Sequence, residues 1–471
     1  MSTRNNLLTF SALLAAILLS CVSCKGDEPA DEPTVPPVQH TVESLVLSVE
    51  QLRLIQGSRA TITVTAVRYD DGTTGTIDPG EVSWESDDPQ IASVTQSGEV
   101  TGLQAGETRI TARAAEITAS VPVTVKAGES TTGLDAPFSA SNIYSMGQYL
   151  TSNTVIQGFD IVDDGTIYYM QIAGNYAHRL SVIPASPNAS GFENVYSESM
   201  SLDYFGHGTN YAIEQADDGL YIWTGCYASK NASGQYWNSQ TIARVKFEAG
   251  KRVTPKECTT QFYMGPFKEL HPAIDVANDV LAINYPTSHP TEPRRFRMYR
   301  LSEAMALPMS AVTLQSLTYG GGAADDPQVT ETPKIYARDL RKLTPLGEFG
   351  IPNQSLAETP DDVSYYAWQG FEVNDGLIYY FEGEGRNDGT PSAAYVTIYD
   401  FAGNVVERRT AVTAASDLQT LASLGITASG YMEAEGIKVR NGKLYLGFAS
   451  RDSKTDGSKY RANVFEYARV E

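Results

Sequence analysis

Three observations predict an all-β chain in which an immunoglobulin-like β-sandwich is followed by a five-bladed β-propeller. The composition is rich in turn formers and aromatics, with 39 Gly, 23 Pro and 27 Tyr in 471 residues. From residue 42 onward, short runs alternate apolar and polar residues between Gly, Asn and Asp turns, the pattern of half-buried strands. Beyond residue 150 one hairpin pattern recurs five times, and fixed-unit repeats of strands signal a propeller. Charged residues are only 19% of the chain, and the net charge is −21. That balance excludes a nucleic-acid binder working through clustered Lys and Arg. The profile also excludes a coiled coil and a disordered chain.

Arg4 is followed by an apolar run from Leu7 to Leu19, too short to span a bilayer stably. It reads as the core of a signal peptide over residues 1–20. Leu18-Leu19-Ser20-Cys21 resembles a bacterial lipobox, which implies that Cys21 is lipidated; Cys24 is a second candidate. Residues 21–40 are acidic and Pro-rich and cannot bury enough surface to fold, so a tether is expected. An acidic stretch after the lipidated cysteine resembles the export signal of Bacteroidetes surface lipoproteins, implying an outer-membrane lipoprotein exposed on the cell surface. Loss of Arg4 with the leader takes the charge to −22. Membrane attachment is therefore expected through acyl chains such as palmitate, because anionic headgroups would repel this charge.

Residues 41–126 hold seven short strands, among them Leu45–Val49, Ala60–Val67 and Val121–Val125, as an immunoglobulin-like sandwich requires. Val82-Ser83-Trp84-Glu85-Ser86-Asp87-Asp88 followed by Ile91-Ala92-Ser93-Val94, with Gly98-Glu99-Val100-Thr101-Gly102-Leu103 and Gly106-Glu107-Thr108, resembles the group 2 bacterial immunoglobulin-like domain. The resemblance implies a stalk or spacer, and Trp84 is expected in its core.

A polar linker at 128–133 leads into the predicted propeller, residues 127–471. Its repeat is an apolar strand, a tight turn and an aromatic strand, beginning with Gly158-Phe159-Asp160-Ile161, Ala212-Ile213-Glu214-Gln215, Ala273-Ile274-Asp275-Val276, Gly370-Phe371-Glu372-Val373 and Gly436-Ile437-Lys438-Val439. A further β pattern follows each hairpin, at 179–183, 242–247, 296–301, 395–401 and 463–468. The turn anchors Gly165, Gly219, Asp279, Gly376 and Gly442 lie 54, 60, 97 and 66 residues apart. The long third interval is expected to hold an insertion at 301–362, or a degenerate sixth blade near 334–349.

Residues just before each inner strand converge at a propeller's channel mouth. They are Gln157, the His207-Gly208-Thr209-Asn210 stretch, His271, Gln369, and Glu433 with Glu435. Polar residues at all five places suit a ligand site, or a solvated channel. His207, His271 and Glu435 make a two-histidine, one-carboxylate set that suits a divalent metal, or a general acid and base acting on a sugar. No local spacing fixes either geometry, and no metal or other cofactor is assigned. Trp223, Tyr227, Tyr236, Trp237, Tyr285, Tyr366 and Trp368 are candidate loop aromatics on which apolar sugar faces could stack. Trp237 and Trp368, in polar loops, are the best placed.

Gln157-Gly158-Phe159-Asp160, Gly206-His207-Gly208-Thr209-Asn210, Thr241-Ile242-Ala243-Arg244-Val245, Gln369-Gly370-Phe371-Glu372 and Glu435-Gly436-Ile437 resemble the propellers of the helveticin J and teichoic-acid biosynthesis protein C group. The resemblance implies a cell-surface setting and polymer ligands, and brings no catalytic chemistry. No nucleophile elbow, phosphate loop or dinucleotide fingerprint is present. Cys226 and Cys258 are either a disulfide or free thiols, and the calcium-like loop at 452–457 lacks its closing Glu. The expected function is binding of a glycan or other surface polymer, with a glycoside hydrolase or polysaccharide lyase and a protein-binding adhesin as alternatives. A hydrolase would need a second carboxylate, for which Asp160 and Glu372 are candidates. The negative chain favours a neutral glycan unless Arg179, Arg244, Arg294 or Arg295 offsets it locally.

Overall fold

The computed structural model describes residues 41–468 apart from 56–58, 127–141, 149–153, 174–175, 189–190, 290–291, 320–327, 352–365, 387–390, 428 and 452–459. The signal peptide, the tether, Cys21, Cys24, the 128–133 linker and the 452–457 loop lie outside the described residues. Among the described residues, no helix is long and apolar enough to cross a membrane.

The chain is all-β and opens with an immunoglobulin-like domain. Leu52–Ile55, Ile117–Lys126, Gly106–Ala114 and Ser83–Ser86 form its main sheet. Val42–Leu47, Val64–Tyr69 and Thr74–Gly75 form a second, and Arg59–Thr61, Glu99–Gly102 and Ala92–Val94 a third. Alternation sends Leu52, Leu54, Ile110, Val121 and Val123 inward, and Trp84 packs against them as expected.

Five larger sheets follow, each built around four antiparallel strands of which the first three form a meander. Their first strands are Ile156–Ile161, Ala212–Ala216, His271–Asp275, Ala367–Asn374 and Tyr431–Arg440. Each first strand touches the first strand of the next sheet, and that of the fifth touches that of the first. The fifth sheet takes its fourth strand from the other end of the domain, where Asn142–Gln148 pairs with Tyr460–Ala468. This pairing ties the first and last strands of the domain into one sheet.

The third interval holds an insertion, with Leu317–Tyr319 and Val329–Glu331 as a separate two-stranded sheet, and no sixth four-stranded sheet among the described residues. Lys334–Asp339 pairs parallel with Gln261–Tyr263 and antiparallel with Met309–Thr313, extending the second sheet. Gly347–Ile351 is the fourth strand of the third sheet. The segment expected as a degenerate blade is thus divided between two sheets.

Every first strand runs from one face of this body to a tight turn on the other. The immunoglobulin-like domain packs on the turn face. Arg53 pairs with Asp375 at 2.7 Å and Arg300 with Glu50 at 3.0 Å. Ala402 packs against the domain's core, and a Cβ on Gly376 would collide with Gln51. A crevice of about 270 Å³ between Gln51, Pro122, Val280, Leu346 and Phe401 completes the contact.

Candidate functional site

On the opposite face, the starts of the first strands converge. Gln157, Gln369 and Glu435 lie where the pairing register shifts, between Ile156 and Gly158, Trp368 and Gly370, and Ala434 and Ile437. A β-bulge re-aims the extra residue, and the glycine after each permits close approach. A Cβ on Gly436 would lie 3.5 Å from Gly158 Cα, and one on Gly370 would lie 3.6 Å from Gly436 Cα. Gly370 and Gly436 also hold φ of 129° and 136°, which few other residues adopt.

Below this mouth, Asp160, Glu372 and Lys438 occupy one position of the repeat in three sheets. Lys438 Nζ lies 3.0 Å from Glu372 Oε2 and 3.9 Å from Asp160 Oδ2. Arg440 reaches the same carboxylates at 2.7 and 3.3 Å. Asp160 also accepts from Ile213 N of the second sheet. These carboxylates are fully buried and engaged by cations, so neither is the second carboxylate considered for a hydrolase. Asn210, expected to bind ligand, is a brace instead: its amide donates to Pro272 O and accepts from Phe371 N.

The structure brings together His207, Trp237, His271 and Trp368. His207 stacks on Trp237 with centroids 4.2 Å apart, Trp237 meets His271 edge-on at 5.9 Å, and His271 lies 4.6 Å from Trp368. The Arg294 guanidinium caps Trp368 at 4.1 Å. Its Nη1 donates to Glu269 Oε1 at 2.9 Å, and its Nε donates to Asn284 at 2.8 Å. Glu269 holds φ of 57° outside any strand, a costly conformation for a non-glycine residue and one that clusters at functional sites.

Burial pushes His207 down to about 4, helped by the nearby His271, so its ring is neutral at physiological pH. Burial also lowers His271. Burial works to raise Glu269, but His271 and Arg294 more than offset it and hold the carboxyl near 2.

Glu435 is not part of this group. It sits in the fifth sheet, whose neighbours are the fourth and first, whereas His207 precedes the second and His271 opens the third. Burial raises its carboxyl well above the usual range, with Glu433 adding to the effect. Glu433 accepts from the Tyr431 hydroxyl. Among the described residues, no three of His, Cys, Asp and Glu form a metal-holding group, so the His207, His271 and Glu435 set is not assembled.

Trp223, Tyr227, Tyr236 and Tyr285 are buried and do not serve as open stacking platforms. Arg179 pairs with Asp203, Arg244 with Glu214, and Arg295 with Glu292 and Glu348. Cys226 and Cys258 are free, the first buried. Sequence reasoning missed Glu269, although it stands two residues before His271. It also missed a neighbouring cluster in which His178 stacks on Tyr204 at 4.7 Å and meets Tyr236 edge-on.

Comparison with known proteins agrees with the sandwich. Residues 47–125 match the bacterial Ig-like domain (group 2). A putative major teichoic acid biosynthesis protein C of Bacillus subtilis is 23% identical over 292 residues, covering 61% of this chain and 53% of that protein. The chain thus spans about half the length of this curated relative. Among solved structures, the tail fiber of Staphylococcus aureus phage P68 is similar at 14% identity and a TM-score of 0.43, covering 71% of this chain and 54% of that one. A thermostable family-43 glycoside hydrolase is similar at 11% identity and a TM-score of 0.32, covering 69% and 90%.

Proposed function

We propose that the five sheets are the blades of a five-bladed β-propeller, residues 127–471, that binds a glycan or other cell-surface polymer. Residues 41–126 serve as its stalk, residues 21–40 as a tether, and residues 1–20 as a lipoprotein signal peptide. Cys21 carries the lipid, and the protein stands on the outer surface of the outer membrane. The observation that carries the reading is the file of rings from His207 through Trp237 and His271 to Trp368. It lies on the face opposite the immunoglobulin-like domain, where a stalk would present it outward. Partly exposed Trp237 and Trp368 offer stacking surfaces, and flanking polar groups can bond sugar hydroxyls. The name of the Bacillus subtilis relative points to a wall polymer and supports the same class of ligand.

A glycan array run beside a reducing-end assay tests this. The expected result is binding without release of new reducing ends, with binding lost in Trp237→Ala. Turnover would show an enzyme instead, and an array silent at all glycans would favour a protein-binding adhesin. Binding indifferent to both Trp237→Ala and His271→Ala would refute the placement of the site.

A further inference from the structure

Three buried side-chain nitrogens at this site have no hydrogen-bond partner. His271 Nε2, Arg294 Nη2 and Trp368 Nε1 are each buried without a hydrogen bond. They are close neighbours, because the Trp368 ring lies 4.6 Å from the His271 ring and 4.1 Å from the Arg294 guanidinium carbon. Glu269 Oε1 lies 3.8 Å from His271 Nε2, too distant to accept but well placed to favour the tautomer protonated at Nε2. Glu269 is already engaged by Arg294 Nη1 at 2.9 Å. A buried donor left unmet costs about 1–3 kcal/mol, so three in one place form a device that awaits an acceptor.

The charge of the site narrows which acceptor. Arg294 is balanced by Glu269, and burial keeps both histidines neutral. The site therefore offers donors without net positive charge. A carboxylate would bring an unbalanced charge into a dry site of a chain already at −21. A hydroxyl would bring a donor of its own that needs an acceptor. An amide carbonyl is a strong neutral acceptor, and its methyl group suits an indole wall.

We infer that the site recognises an N-acetylated hexosamine, with the two lone pairs of its acetamido carbonyl accepting from Trp368 and from one of His271 and Arg294, and the partly exposed Trp368 side chain moving aside to admit it. This deepens the glycan-binding reading and rests on it. The test uses the mature chain in fluorescence and calorimetric titrations with three probes: an N-acetylglucosamine trisaccharide, the matching glucose trisaccharide that has a hydroxyl in place of the acetamido group, and a uronic-acid oligomer. The expected result is an N-acetyl preference on the order of ten-fold or more over glucose, the worth of one buried hydrogen bond. Trp368→Phe keeps a ring but removes the N–H, and should reduce that preference several-fold while leaving measurable binding. Equal affinity for the two neutral probes, tighter binding of the uronate, or an undiminished preference in Trp368→Phe would overturn the inference and leave glycan binding standing. Failure of every oligosaccharide to bind, here and on the array, would overturn both.

Discussion

Replacing Lys438 with Met should destabilise the protein by about 3–5 kcal/mol, the cost of orphaning one side of a buried ion pair. The ammonium donates to Tyr211 O at 2.6 Å and lies 3.0 Å from Glu372 and 3.9 Å from Asp160. At an effective dielectric near 20, each carboxylate contact is worth about 4–6 kcal/mol before dehydration. Sparing the ammonium its dehydration returns several kcal/mol, which brings the net loss into the stated range. Arg440 alone would then face two fully buried carboxylates. Burial first, with Asp160 adding, already raises Glu372 despite the opposing pull of Lys438 and Arg440. Without Lys438 the Glu372 carboxyl rises further. A raised folded-state carboxyl loses stability as pH rises, so the deficit should be larger at pH 8 than at pH 5. Urea unfolding at the two pH values measures it, and Lys438→Met with Glu372→Gln should recover at least half. A single-variant loss under about 1 kcal/mol, or a double variant no better than the single, would refute the account of the axis.

Three other perturbations follow from the same geometry. His207 takes up a proton only near pH 4 when folded but near its ordinary 6.5 when unfolded; its neutral form therefore supports the fold above 6.5 and loses roughly 3 kcal/mol of stability as pH falls to 4. His207→Gln should flatten that part of the stability profile measured by urea titration, and an unchanged slope would count against it. Glu435 has the opposite sign, because its folded carboxyl lies above the unfolded 4.5. Glu435→Gln should match the parent near pH 4 and gain about 1.4 kcal/mol per unit as pH rises above 4.5, until the folded group ionises; no growth with pH in thermal melts would contradict its burial as an acid. Gly376→Ala, at φ of 73° and against Gln51, should loosen the contact between sandwich and sheets, splitting one calorimetric transition into two; a single unshifted transition would argue against that contact.

The strands were legible because alternation and tight turns are local, and the five hairpins repeat them. The bulges were partly legible too, since a polar residue before glycine recurs at Gln157, Gln369 and Glu435. What could not be read was pairing across the ring. Asp160 and Glu372 looked available as catalytic carboxylates because the arginine that binds Asp160 stands 280 residues away. A signal did exist: Lys438 occupies in the fifth repeat the position held by Asp160, Glu214, Asp275 and Glu372 in the others, and a lone cation at a position otherwise acidic marks a buried ion-pair centre. Glu269 escaped notice for a related reason. Its partner Arg294 comes from the third strand of the same sheet, and only the register that sets Pro286 opposite Arg294 carries that guanidinium to the face where His271 begins.

The glycines bring the backbones at the mouth close, a Cβ on Gly436 lying 3.5 Å from Gly158 Cα, and the Lys438 cluster lies at the level beneath. On the proposed reading a bound chain lies across the face, where two ring clusters flank one loop. Tyr236 turns toward His178 and Tyr204, and the next residue, Trp237, turns toward His207 and His271. Adjacent residues facing opposite ways place a buried ring patch around Tyr236 on one side of the loop and the partly exposed Trp237 on the other. The patch near Tyr236 adjoins a groove of about 390 Å³ that the insertion lines with Ser316, Leu317 and Thr318. The insertion that breaks the regular repeat thus falls beside the site, on the route a polymer would take away from Trp237. Shortening it should weaken long oligosaccharides more than trisaccharides, and equal losses for both would place the ligand elsewhere on the face.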